Sequence, residues 1–239
     1  MTSPFSIEHK WRLYWKRIPS NAKPLGYISC ESPKEQKALL ALAKAGVIGG
    51  RQLFHLFALD KKRLKKMVRE QKIIRHEIRL NTKIIPVYTL GQTGAIITEV
   101  SGYEPNYWVT YKTEDVLKRI LFFELYRFFP DKPIIPTPEP FTIAIQFNNQ
   151  PMYVYVVRGG VQDMLMYLKW QSHTFQGRMI VIAESIQHVQ PLLMPARDIK
   201  LRITTDEDLL TAEDIQNMFY YVDNDGNIVK EDRKTSVSK

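Results

Sequence analysis

Between Lys61 and Lys72 the chain reads KKRLKKMVREQK, with seven cations among twelve residues and a single acid, Glu70. Cations at this density neutralise phosphates, and releasing the counterions condensed on a polyanion makes such binding strong and salt-dependent. The next segment adds Arg75, His76, Arg79 and Lys83. Lys61, Lys62, Lys65, Lys66 and Lys72 are compact charges expected to anchor a phosphate backbone, with Arg75, Arg79 and Lys83 clamping it from the side. Arg63 or Arg69, together with Gln71, are the expected readers of base edges, because guanidinium and amide groups can make paired hydrogen bonds to guanine or adenine.

Other chemistry lacks its residues. A metal-dependent nuclease needs carboxylates and a lysine on neighbouring strands to hold Mg²⁺ at the scissile phosphate. The strand-like run Met152 to Arg158 contains neither, and Glu139 and Asp163 fall in a loop and on a helix. Nicking would need closely spaced histidines and a tyrosine nucleophile. His9, His55, His76, His173 and His188 are scattered, and Tyr220 and Tyr221 sit in a β-prone run. There is no phosphate-binding G-x-x-x-x-G-K-[ST] loop and no dinucleotide fingerprint around Gly46, Gly49 and Gly50. In DNDGN, Asp223 to Asn227, the glycine comes too early for a calcium loop, so the segment reads as a turn. Cys30 is the only cysteine, which excludes an intrachain disulfide and a cysteine cage for zinc. No catalytic residue, metal or cofactor is expected, and the chain reads as a non-enzyme.

The elements that would position the cations follow from local signals. Ser32-Pro33-Lys34-Glu35 forms a capping box that starts a helix, with Leu39, Leu40, Leu42 and Ala43 as its apolar stripe and Gly46 as its end. Val47 and Ile48 suggest a short strand. A second helix is expected from about Arg51 to Ala58, burying Leu53, Phe54 and Phe57. Asp60 caps a third from Lys61 to Lys72, held by Leu64, Met67 and Val68. IIRHEIRL (Ile73 to Leu80) and IIPVYTL (Ile84 to Leu90) form a two-stranded ribbon around Asn81-Thr82-Lys83, followed by a short helix from about Thr93. Three helices and a ribbon have the layout of a winged helix-turn-helix, whose third helix enters the major groove.

Residues 1 to 30 are expected to form an arm containing one short helix, its aromatics (Phe5, Trp11, Tyr14, Trp15) packing on the domain behind. Residues 101 to 112 read as a connector. From Thr113 a long helix carries Val116, Leu117, Ile120, Leu121, Leu125 and Phe128 on one face, as core or dimer seam. PDKPIIPTPEP is too rich in proline for helix or central strand. Beyond it come a hairpin around Asn148-Asn149-Gln150, a helix from about Val161 to Phe175, the strand RMIVIA, a helix from Ser185 to Met194 and the strand IKLRIT. Two short β-runs flank Asp225-Gly226, and the last residues read as a frayed tail.

Composition agrees with this division. The 239 residues are 44% hydrophobic and 25% charged, ordinary values for a folded chain. Residues 1 to 112 hold 20 Lys/Arg against 8 Asp/Glu, whereas residues 113 to 239 hold 14 against 17. An excess that stops at a boundary marks one module that faces a polyanion and another that does something else. No run is long and apolar enough to span a membrane, and no apolar signal core is present, so a cytoplasmic protein is expected.

The segment LFHLFALDKKRLKKMVREQKIIRHEI and the ending VYTLGQTG resemble the plasmid replication-relaxation family of plasmids and integrative elements of Gram-positive bacteria. The likeness covers roughly residues 32 to 215, and its C-terminal half is similar to a restriction-endonuclease-like core. In VYTLGQTG, Gly91 stands where the family has a threonine after the leucine. The resemblance implies a DNA-binding protein serving plasmid replication, transfer or their control. The fold expected is α/β (α+β): an arm over 1–30, a winged helix over 31–100, a mixed α/β domain over 113–222 for dimerisation or docking of a replication or relaxase protein, and a tail over 223–239. The expected partners are double-stranded DNA and a second copy of the chain. Two alternatives stay open: a metal-dependent nuclease using Glu139 or Asp163, and a protein-interaction adaptor whose basic helix meets an acidic partner.

Overall fold

The computed structural model describes residues 3–21, 30–148, 150–171, 175, 177–223 and 225–231. The frayed tail expected over 232–239, part of the arm, and His173 lie outside them. The chain is mixed α/β, with eight α-helices and two sheets among the described residues. It divides into two compact units, one spanning His9–Phe123 and the other combining Met1–Glu8 with Glu124–Lys239.

In the first unit β1 (Arg12–Tyr14) precedes α1 (Pro33–Ala45), β2 (Val47–Gly49), α2 (Gly50–Phe57), α3 (Lys61–Arg69), β3 (Ile73–Leu80), β4 (Lys83–Leu90), α4 (Gln92–Ile97) and the start of α5 (Thr113–Tyr126). The capping box at Ser32 and Glu35 is formed, and Gly46 closes α1 at φ 80°. The buried stripe of α1 is Ala38, Leu39, Ala41, Leu42 and Ala45, while Leu40 is exposed. Phe54, expected in the core, is 53% exposed; α2 buries Gln52, Leu53 and Phe57 instead. The sheet order is β1-β3-β4-β2, all antiparallel. The short helix expected in the arm is therefore replaced by a strand, Arg12-Leu13-Tyr14, whose alternating side chains extend the ribbon.

Residues 101–112 are a clamp within this unit. Trp108 is fully buried with Ile18 and Ile74, and its indole N–H donates to the Lys16 carbonyl at 3.1 Å. Asn106 takes the Ile18 N–H at 2.7 Å and donates to the Ile18 carbonyl at 3.0 Å. The Tyr107 hydroxyl donates to the Gly46 carbonyl at 2.8 Å and accepts from the Leu90 N–H at 3.1 Å, so one side chain ties the end of α1 to the end of β4.

In the second unit β5 (Ile134–Ile135), β6 (Ile143–Phe147), β7 (Gln150–Val156), α6 (Gln162–Gln171), β8 (Arg178–Ala183), α7 (Gln190–Leu193), β9 (Lys200–Thr205), α8 (Asp206–Thr211), β10 (Tyr220–Val222) and β11 (Ile228–Lys230) follow α5. They form one seven-stranded sheet in the order β11-β10-β9-β8-β7-β6-β5. β7, β8 and β9 run parallel and every other pairing is antiparallel. The proline-rich stretch contributes only the two-residue edge strand β5, with Pro133 and Pro136 on either side of it. The helix expected over Ser185 to Met194 is a 3-10 turn, Ile186–Val189, followed by the single turn of α7. One face of the sheet carries Tyr155, Val181 and Ile203 into a core with Met164, Leu168 and Leu192 from α6 and α7. In α5, Val116, Leu117, Ile120, Leu121 and Leu125 are buried, as are Phe122 and Phe123, while Lys118, Arg119 and, just past its end, Phe128 are half-buried, so burial is wider than the expected face.

Candidate nucleic-acid interface

Asp60 starts α3 by accepting the Arg63 N–H at 2.7 Å, and Leu64 and Met67 fasten the helix to the core. With 100° between successive residues, Lys61, Lys65, Arg69, Lys62 and Lys66 fall within an arc of about 140°, away from those two anchors. Lys61, Lys62, Lys65 and Arg69 are exposed and make no ion pair among the described residues. Lys66 lies 3.7 Å from Glu70, a spacing worth little on a wet surface.

Three of the expected contacts are turned elsewhere. Arg63 forms a fork on Glu35, Nε to Oε1 at 2.7 Å and Nη2 to Oε2 at 2.6 Å, and Glu35 also accepts the Ser32 N–H at 2.9 Å. Burial alone would raise the Glu35 carboxyl, but the hydrogen bonds from Arg63 and Ser32 and the charges of Lys72 and Arg63 outweigh it and hold the group below its usual value. Arg63 is thus a strut between α3 and the start of α1 and not a reader of bases. Lys72 is fully buried, with its ammonium 2.9 Å from Glu70 and 3.1 Å from Glu31. The chain passes through Gln71 at φ 52°, which ends α3 early and swings Lys72 inward. Gln71 is itself half-buried, and its Oε1 is buried without a hydrogen-bond partner among the described residues, so its amide is not presented for readout either.

This corner also explains Gly91. A Cβ there would overlap the carbonyl oxygen of Gln71, and one on Gly94 would overlap that of Lys72. The Gly91 N–H donates to the Lys72 carbonyl at 3.0 Å, so the start of α4 is fitted closely against the exit from α3.

On the ribbon, Arg75, Glu77 and Arg79 alternate onto one face. Glu77 takes Arg75 at 2.9 Å and Arg79 at 2.6 Å, and hydrogen bonding from Arg79 is the main cause of its lowered pKa. Arg79 also lies 4.4 Å from the ring of Tyr14, and Arg12 stands opposite it on β1. Arg75 and Arg79 remain 46% and 42% exposed, but they share one acid, so this cluster is weaker than its arginine count implies. Lys83 is exposed at the start of β4. On the other face His76 is buried between Trp15 and Trp108, at 4.9 and 5.0 Å between ring centroids. Its Nδ1 accepts the Lys16 N–H at 2.9 Å and its Nε2 meets the Thr89 hydroxyl at 2.8 Å. Burial, helped by the charge of Lys16, pushes its pKa down to about 3, so it is a neutral core histidine.

Sequence reasoning missed Glu31 and Glu35, which neutralise Lys72 and Arg63 from far along the chain, and Arg12 and Tyr14, whose strand alternation was legible in RLY.

In the second unit the two nuclease candidates stay apart from any cluster. Glu139 is an exposed loop residue, and Asp163 accepts the Tyr155 hydroxyl at 2.6 Å and the Met164 N–H at 2.7 Å. Among the described residues no group of three His, Cys, Asp or Glu side chains is placed to hold a metal ion. Arg158, Glu184 and Asp206 stand just past the ends of β7, β8 and β9, where open α/β sheets commonly receive ligands. Here that end is filled. Arg158 pairs with Asp206 at 2.6 Å and donates to the Phe5 carbonyl at 3.2 Å, and the Ser3 hydroxyl donates to Asp206. No helix among the described residues is long and apolar enough to cross a membrane. Compared with protein-family models, curated proteins and solved structures, the chain matches none.

Proposed function

We propose that the chain binds double-stranded DNA through a winged helix in its first unit, serving replication, transfer or transcriptional control on a plasmid or other mobile element. The observation that carries this reading is the five-cation arc of α3. The order helix, strand, helix, helix, ribbon, with β2 adding to the ribbon through β4, supports it, because that layout directs the third helix towards a groove. Lys61, Lys62, Lys65 and Lys66 anchor phosphates, Arg69 is the remaining candidate for a base edge, and Arg75, Arg79 and Lys83 touch the backbone beside it. The mobile-element role rests on the family resemblance of LFHLFALDKKRLKKMVREQKIIRHEI. The second unit serves as a restriction-endonuclease-like scaffold without catalysis that pairs two copies or docks a replication or relaxase protein, since one winged helix reads few bases.

A salt titration on random duplex tests the reading. About seven phosphate contacts give a slope of log K against log salt near −6. Lys65→Glu/Lys66→Glu should lower affinity by more than tenfold and flatten the slope by about 2. Parent-like binding by that variant, or affinity indifferent to salt, would instead mark α3 as a face for an acidic protein.

A further inference from the structure

A cleft of about 500 Å³ opens in the second unit, lined by Met152 and Ile180 on the sheet face opposite α6 and α7. That is an ordinary size for a small-molecule site. Its walls include the half-buried Phe129 and Phe147, which meet edge to face at 5.0 Å, while Phe219 is buried beneath it. Arg178 on β8 and Arg202 on β9 project into it from adjacent parallel strands. Arg202 is held at 2.8 Å by Glu231 and lies 5.4 Å from the Phe219 ring. Arg178 is exposed and makes no ion pair among the described residues, and no carboxylate lines the cleft. The amides of Asn148 and Gln150, from the β6–β7 turn, complete the rim.

Each group supplies one part of a recognition chemistry. Phenyl rings offer surfaces on which a nucleobase stacks. Side-chain amides can pair with a base edge. An uncompensated guanidinium forks onto phosphate. We propose that this cleft binds a nucleoside phosphate, either free or as the terminal nucleotide of a single strand, with the base against Phe129 and Phe147 and the phosphate on Arg178. The site is separate from α3 and does not depend on duplex binding by the first unit.

The full chain is titrated calorimetrically with adenosine 5′-monophosphate, with a 5′-phosphorylated hexadeoxyadenylate strand, and with adenosine and decanoate as controls. Binding of either phosphate ligand, at least tenfold weaker in Arg178→Glu with an unchanged melting temperature, supports the site. Gln150→Ala, also at the surface, should weaken binding about threefold and serves if the first variant misfolds. Preference for the mononucleotide identifies a free nucleotide as the source, and preference for the strand identifies a strand end. The proposal is overturned if neither phosphate ligand binds the parent at millimolar concentration, if Arg178→Glu binds as the parent does, or if adenosine or decanoate binds equally well. Lys65→Glu/Lys66→Glu should leave this binding intact, which separates its failure from that of the duplex reading.

Discussion

The two units treat positive charge in opposite ways. Residues 9–123 hold 22 Lys/Arg against 9 Asp/Glu, and their largest cluster stands on the outer arc of α3 with hardly an acid near it. The remaining residues hold 12 against 16, and their most enclosed guanidinium, Arg158, lies inside the fold, locked to Asp206. A cation facing outward without a partner keeps its charge for a ligand. One turned inward must be matched, and it then serves architecture. The same division runs within α3 and its exit, where Lys65 faces solvent and Lys72, seven positions on, is buried between two glutamates.

The sharpest way to test that contrast is to break the inward pair. Arg158→Ala leaves the Asp206 carboxylate buried without its partner and should destabilise the second unit by about 3–5 kcal/mol in chemical denaturation. Arg158→Met/Asp206→Leu, which removes both charges, should recover most of that loss. If the single variant unfolds like the parent, Arg158 is not matched in the way its 2.6 Å contact implies.

Next in size is the corner that turns Lys72 inward. Gly91→Ala forces a methyl into the Gln71 carbonyl, and a cost of about 3 kcal/mol is expected, at the upper end of common point substitutions. Lys72→Met leaves Glu70 and Glu31 without their shared ammonium and should cost about 2 kcal/mol, the scale of a hydrogen bond to a charged group. Its duplex affinity, measured below its melting temperature, should match the parent. Lys65→Met should do the reverse, unfolding at the parent's denaturant midpoint while binding duplex more weakly. An equal loss of affinity in both variants would erase the distinction between the two lysines.

These residues show how far the sequence could be read. The first unit was legible because its signals are local: a capping box at Ser32, an N-cap at Asp60, and period-two runs on either side of Asn81. The surface of α3 was legible for the same reason, since helical spacing alone puts Lys61, Lys65 and Arg69 in one line. The fates of Arg63 and Lys72 are not, because Glu35 and Glu31 lie 28 and 41 positions upstream of them and only tertiary packing brings these acids close, Glu31 joining the neighbouring Glu70 around Lys72. The tertiary role of residues 101–112 is illegible for a related reason. Nothing local in them shows that Trp108 meets Ile18 and Ile74 across the chain. In the second unit the strands were legible but the cleft was not, because Arg178 and Arg202 come to one face only through strand register.

The smallest effect expected is a pH dependence that belongs to the first unit alone. His76 titrates near 6.5 when the chain is unfolded and at about 3 when folded, because burial penalises the imidazolium. Between those values the unfolded chain binds a proton that the folded chain does not, so stability rises with pH and is lost as pH falls. Glu35, Glu77 and Asp208 have lowered values and lose their stabilising contribution only further down, as pH falls through the carboxylate range. The window from about pH 6.5 to 5 therefore isolates His76, and a loss of about 1.5 kcal/mol across it is expected from denaturant midpoints of the first unit. His76→Gln, which keeps an amide able to serve Thr89 and the Lys16 N–H but cannot take the proton, should flatten the profile over that window. A profile as steep in the variant as in the parent would place the titrating group elsewhere and remove His76 from the neutral core that holds the ribbon against the Trp108 clamp.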